Sequence, residues 1–349
     1  MSSSNKNRNT RSERMRRRRR KKRIIRGGLI LALILAAAIV LVIALGGKQE
    51  EGTDSPSDEN ITISQSVPEE KEEDPVPTDT PAPTPEPLEI STEGLHSDYA
   101  LLLRLRDDEV LMDKAGTEQM YPASMTKIMT ALLAIENLPN LDEQITVTAE
   151  EINPAYELGA SMAGFNAGET VTVRDLLYGV LLPSGAEACA ALADRVAGSE
   201  TAFVDLMNQK AQELGMENTH FVTVSGLHDP NHYTTCYDIA ILLKYAIQNE
   251  TFRTIFTTPS YTTSATEDHP QGIALGSSMF AQLGGDPKLD NGGVIEGGKT
   301  GTEDAAGHCL ASLALIDGEE YILVTGHAPD SPDGTPYIIA DARYVYNQL

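Results

Sequence analysis

The chain has 349 residues, 41% of them apolar, and a net charge of −24. Residues 1–26 hold 13 Lys and Arg against one Glu, a surplus of +12 that leaves −36 for the remainder. That division excludes a single uniform environment: the two parts face different surroundings. Residues 27–47, from Gly27 to Gly47, carry no charge and are mostly Leu, Ile, Ala and Val, enough to cross a hydrocarbon core of about 30 Å. The basic run at 16–23 predicts a cytoplasmic tail (1–26) before a transmembrane signal anchor (27–47), with everything after Gly47 extracytoplasmic at the cell membrane. A cleaved signal peptide is the alternative, because Ala44-Leu45-Gly46 offers small residues at an A-x-A-like site; the long basic leader favours retention. A basic segment beside an apolar span is topogenic, so no nucleic-acid partner is expected.

Residues 48–90 are rich in Pro, Thr, Asp and Glu and cannot form a core; they read as a disordered, self-repelling linker. Residues 91–349 have the length of one large domain or two closely joined lobes. Within them, 99–106 and 109–113 read as paired strands. A helix opens at Ser124, where Tyr121-Pro122-Ala123 gives way to the apolar run Ile128, Met129, Ala131, Leu132, Leu133 and Ile135. Helices follow over 173–182, 186–197, 201–214 and 235–248, then strands over 299–302, 309–316 and 321–325, and a C-terminal helix from about Tyr337.

Three short motifs carry the chemistry: Ser124-Met125-Thr126-Lys127, Ser184-Gly185-Ala186 and Lys299-Thr300-Gly301. A serine at a helix opening sits beside unpaired N–H groups and the positive end of the helix dipole, which suits an oxyanion on an attacked carbonyl. Lys127, one turn on, is within reach as the base that a weak serine nucleophile needs. A lysine is a base only when neutral, and partial burial beside a second cation, Lys299, favours that form. Gly297-Gly298-Lys299-Thr300-Gly301 reads as a strand entered through small residues. An extended peptide can add along such an edge, with Lys299 and Thr300 receiving its terminal carboxylate.

The order of all three motifs matches the acyl-transfer set of penicillin-interacting enzymes. The chain resembles the serine-type D-alanyl-D-alanine carboxypeptidases among the low-molecular-weight penicillin-binding proteins, over about residues 95–330. The similarity rests on Tyr121-Pro122-Ala123-Ser124-Met125-Thr126-Lys127-Ile128-Met129-Thr130, on residues 168–179, on Ser225-Gly226-Leu227-His228-Asp229-Pro230 with the residues to Thr235, and on Gly298-Lys299-Thr300-Gly301-Thr302 through Ala306-Gly307. The resemblance implies an α+β, β-lactamase/transpeptidase-like fold: an antiparallel sheet flanked by helices, with a helical lobe closing the cleft. The length leaves no room for the extra β-rich domain that many members carry after the catalytic one. The resemblance further implies that Ser124 is acylated, Lys127 is the base and Ser184 relays a proton to the leaving D-alanine. Lys299 and Thr300 hold the substrate carboxylate, Gly301 lies in the same strand, and the N–H groups of Ser124 and Thr302 form the oxyanion hole. Its partners are then peptidoglycan stem peptides and β-lactams, with no cofactor and no metal.

One position departs from the family. Its second motif usually reads Ser-x-Asn, whereas this chain has Ala186, and losing one such hydrogen bond costs about 1 to 3 kcal/mol unless another group, such as the adjacent Glu187, replaces it. A non-catalytic penicillin-binding sensor or wall-binding protein is therefore the alternative from another class. A β-lactamase-like acyl-serine hydrolase is a third reading, disfavoured by the lack of a Glu-x-x-Leu-Asn segment. His228 and His232 invite a zinc peptidase, but Pro230 between them denies the helical His-Glu-x-x-His face. Cys189, Cys236 and Cys309 lack metal-type spacing and read as buried small hydrophobes.

Overall fold

The computed structural model describes residues 89–349. The basic tail (1–26), the apolar stretch (27–47) and positions 48–88 of the linker lie outside the described residues. Among the described residues no helix is long and apolar enough to cross a membrane.

The N-terminal hairpin pairs β1 (Tyr99–Arg104) with β2 (Glu109–Lys114). A 3-10 turn over Ala123–Thr126 leads into α1 (Lys127–Asn137). A small antiparallel pair, β3 (Gln144–Thr146) and β4 (Thr170–Thr172), brackets α2 (Ala149–Glu157). Next come α3 (Val173–Leu181), α4 (Ala186–Ala197), α5 (Glu200–Glu213), α6 (Cys236–Ala246) and α7 (Glu250–Phe256). A second small pair, β5 (Ser260–Thr262) with β6 (Ala274–Gly276), and the short helix α8 (Ser278–Gln282) precede the long strands β7 (Val294–Glu303), β8 (Gly307–Ile316) and β9 (Glu319–Ala328). Helix α9 (Tyr337–Tyr346) follows.

The main sheet runs β2-β1-β9-β8-β7, every neighbour antiparallel, so β7 is an edge strand. The inner strands β1, β9 and β8 carry mostly apolar runs because helices cover both faces, and the two-residue period of a strand then divides the side chains between two cores. Leu101, Leu103, Cys309, Ala311, Leu313, Ile322 and Val324 face the core built around α1, α3, α4 and α6. Ala100, Leu102, Leu310, Ala314, Ile316 and Leu323 face a smaller core against α8 and α9. Helix α1 is buried on all sides, with Ile128 at 0% and Leu132 at 1% exposure. Each such side chain contributes about 1.5 to 3 kcal/mol by leaving water, and together they fix the base of the 3-10 turn.

Ser124 does not open the helix, as expected from the apolar run, but lies in the preceding 3-10 turn; regular α-helix begins at Lys127. Ala123 has φ +45°, which breaks the helical path, and the Met125 N–H donates to Pro122 O at 3.1 Å. The strand around Lys299 is longer than expected, because the apolar side chain of Ile295 belongs to the smaller core. The three cysteines are free and buried, packing as small apolar side chains.

Candidate active site

The three motifs come together where the 3-10 turn, the α3–α4 turn and strand β7 meet. Gly301 explains how the strand approaches so closely. A Cβ there would lie 3.0 Å from both Ser124 N and Ala123 Cβ and 3.1 Å from Pro122 O, tighter than most Cβ contacts, so a side chain would push the turn away by a few tenths of an ångström. With only hydrogen at that position, the backbone N of Ser124 faces β7 one residue from Thr302.

Lys127 is 2% exposed. Its Nζ donates to Ser124 Oγ at 2.9 Å and to Ser225 O at 2.7 Å. Burial is the main cause that pushes its pKa below the usual lysine value, and the neighbouring Glu303 and Glu187 oppose the shift. Cys189 faces the same ammonium, but burial pushes its thiol up to about 12, so near neutrality it is uncharged and offers no counter-ion. Ser184 sits at φ +72° between α3 and α4. Its Oγ accepts from Lys299 Nζ at 3.0 Å, while Lys299 also donates to Thr300 O at 2.8 Å.

The centre is thus two serine–lysine pairs, Ser124 with Lys127 and Ser184 with Lys299. Lys299, fully buried, is held well below the usual lysine range by burial first and by the charge of Lys127 second. Lys299 points inward to Ser184. The hydroxyl of Thr300, 7% exposed, shares a 2.6 Å hydrogen bond with Ser278 Oγ, and Thr302 Oγ1 lies 3.1 Å from His308 Nδ1.

Ser278 was not among the sequence candidates; the signal is its place at the first turn of α8, N-capped by Ser277. The carbonyl of Ser225 was also missed, and no backbone oxygen can be singled out from residue type. Ala186, 3% exposed, brings no amide to the site, and its N–H donates to Ser161 O at 2.8 Å. Neither ring nitrogen of His232 is free: Nε2 lies 2.8 Å from Thr126 Oγ1, and Nδ1 accepts from the N–H groups of Val222 and Thr223 at 3.0 and 3.2 Å. The ring is therefore neutral and supports the turn of Ser124, consistent with burial lowering its pKa to about 4. His228 packs edge-on against Tyr121 with centroids 4.8 Å apart. A cavity of about 620 Å³ adjoins the end of β7, lined by Thr302, Glu303, His308, His327 and Asp330 among others; Ser124 and Lys127 do not line it.

The family model for D-alanyl-D-alanine carboxypeptidases matches residues 86–329. The chain is similar to the D-alanyl-D-alanine carboxypeptidase DacF of Bacillus subtilis, 38% identical over 43% of this chain and 39% of that protein. Similarity to DacD of Escherichia coli is 30% over 69% of this chain and 60% of the relative. The matched segments thus span less than two thirds of these two relatives. The D-alanyl-D-alanine carboxypeptidase of Streptomyces sp. K15 is 34% identical over 61% of this chain and 74% of its own. Among solved structures, the Streptomyces K15 DD-transpeptidase superposes with a TM-score of 0.67 at 28% identity, covering 74% of this chain and 98% of that one.

Proposed function

Because the chain belongs to the D-alanyl-D-alanine carboxypeptidase family, we propose that it removes the terminal D-alanine from peptidoglycan stem peptides through an acyl-enzyme on Ser124. The observation that carries this reading is the 2.9 Å contact between Ser124 Oγ and a lysine 2% exposed. The neutral amine of Lys127 takes the hydroxyl proton as Oγ attacks the carbonyl of the penultimate D-alanine. The N–H groups of Ser124 and Thr302 stabilise the oxyanion. The C–N bond breaks as the proton passes through Ser184 to the leaving amine, and water then hydrolyses the ester by the reverse route. Thr300, braced by Ser278, receives the substrate carboxylate. Lys299 acts from behind, through Ser184 and by its charge, rather than by direct contact. β-Lactams, which look like acyl-D-Ala-D-Ala, acylate the same serine.

The catalytic domain works outside the membrane, held by residues 27–47 as a signal anchor behind the basic tail; the uncharged span and the flanking charge bias support this placement. The deciding experiment measures D-alanine release from diacetyl-Lys-D-Ala-D-Ala by the full chain and by Ser124→Ala, with intact-mass detection of a penicillin adduct. Release and adduct that both vanish in the variant support the proposal. An adduct without release would indicate a penicillin-binding sensor.

A further inference from the structure

Glu187 is the second residue of α4 and is fully buried. Its Oε1 accepts two backbone hydrogen bonds, from Ala163 N at 2.7 Å and Gly164 N at 2.8 Å. Its Oε2 has no hydrogen-bond partner among the described residues, and none of the ion pairs formed there includes it. A buried carboxylate with half its lone pairs unused is costly, so its retention needs a reason. The N-terminus of α4 and the two N–H donors offset part of that cost.

The segment it holds is the one that lies against the Ser184 turn. The Ala186 N–H donates to Ser161 O at 2.8 Å, and the Gly185 N–H closes the turn onto Gly179 O at 2.8 Å. Ala163 then fits into the space left by two glycines: a Cβ on Gly185 would stand 2.6 Å from Ala163 Cβ, and one on Gly179 3.2 Å from it. Residues 161–164 are thus joined to the Ser184 turn by the Ala186–Ser161 hydrogen bond and by this packing, and Glu187, in the first turn of α4 just beyond Ser184, adds two hydrogen bonds to Ala163 and Gly164.

We propose that Glu187 is a positioning residue of the catalytic centre, fastening residues 161–164 to the turn that carries Ser184, where Ala186 has no side-chain amide to brace the site. This inference rests on the serine acyl-transfer reading above. The carboxylate has a second effect through charge. Lys127 is faced by Ser124 from its own turn, by Glu187 and Cys189 from α4, by Lys299 and Glu303 from β7, and by the Ser225 carbonyl; Glu187 is one of the groups that favour its protonated form.

The test follows the rate of acylation by a fluorescent penicillin against pH in the full chain, for wild type, Glu187→Gln and Glu187→Ala. Glutamine keeps an acceptor for Ala163 N and Gly164 N but removes the charge. Its rate is expected to stay within a few fold of wild type at the plateau, with the acid limb of the profile at lower pH. Alanine removes the fastening and is expected to lose about 10²-fold, the scale of a small misplacement of reacting groups. An unshifted acid limb in Glu187→Gln, or a wild-type rate in Glu187→Ala, would overturn the inference. If Glu187→Ala does not fold, Glu187→Asp, whose shorter side chain draws the acceptor away from Ala163 N and Gly164 N, takes its place, and a wild-type rate there would equally overturn the inference. Wild type that forms no adduct at Ser124 would instead sink the proposed function, so the two failures are distinct.

Discussion

Lys127 has only a hydroxyl and a carbonyl as partners for its ammonium, and the same burial that makes it a base weakens the fold. Its pKa in the folded state lies below the unfolded value of 10.5, so between the two the unfolded chain binds the extra proton and stability rises with pH. Lys127→Met is therefore expected to lose at least about 10³-fold in penicillin acylation, the scale of a general base, while its unfolding midpoint at pH 7 equals or exceeds that of wild type. A variant that unfolds well below wild type would contradict this account. His232 gives the complementary case. Its folded pKa of about 4 against 6.5 unfolded means that its contribution is intact above pH 6.5 and is lost as the pH falls through 4, amounting to about 3 kcal/mol. Denaturant titrations at pH 7 and pH 4 should show that loss in wild type and a smaller one in His232→Gln; equal losses would count against it.

Between elements, the site depends on contact between a turn and an edge strand. Gly301→Ala places a methyl against Ser124 N, Pro122 O and Ala123 Cβ, none of which can rotate away, so the nucleophile turn must shift from β7 by a few tenths of an ångström. Acylation is expected to fall about 10²-fold with the sheet intact, as far-ultraviolet circular dichroism would report; an unaffected rate would show that the turn yields freely. On the opposite face, Tyr346 anchors α9. Its hydroxyl lies 3.1 Å from Ser312 Oγ, accepts from Leu323 N at 3.1 Å and donates to Ser312 O at 3.2 Å, with the side chain fully buried. Tyr346→Phe removes these hydrogen bonds, leaving Leu323 N without its hydroxyl acceptor, and should cost about 1 to 3 kcal/mol in urea unfolding without changing the acylation rate. The long elements were legible because their apolar periods repeat: 186–197 was expected and observed as a helix. The short pairs β3–β4 and β5–β6, the helices α2, α7 and α8, and with α8 the residue Ser278, were not. A three-residue strand has no period to read, and its pairing partner decides its state. Ser124 was displaced from helix to 3-10 turn by the local backbone at Ala123, which the apolar run does not encode.

At the scale of the molecule, the antiparallel sheet between helical layers and the meeting of Ser124, Lys127, Ser184 and Lys299 were legible because each motif names its chemistry and their order leaves few ways to join them. How the absence of an amide at 186 is met was legible only as far as naming the adjacent Glu187; that its carboxylate reaches the N–H groups of Ala163 and Gly164 was not, since the backbone donors of a loop have no sequence signature. Residues 1–90 pose the remaining question in terms of charge and hydropathy alone. A +12 segment, then 21 uncharged residues, then an acidic, proline-rich stretch is a sequence of solvents as much as of residues. The first part suits an anionic inner surface, the second hydrocarbon and the third water. If residues 27–47 anchor the enzyme as proposed, it should sediment with membranes in high salt, which screens surface attraction but leaves an apolar span in place. Deleting residues 1–47 is expected to release the protein while leaving kcat/KM on a soluble diacyl tripeptide unchanged, because no residue of the site lies in that segment. Activity on insoluble wall should fall, since the tether no longer holds the enzyme at its polymer. Full-length protein washed off the membrane by salt alone would refute the anchor and leave the basic run as a surface contact.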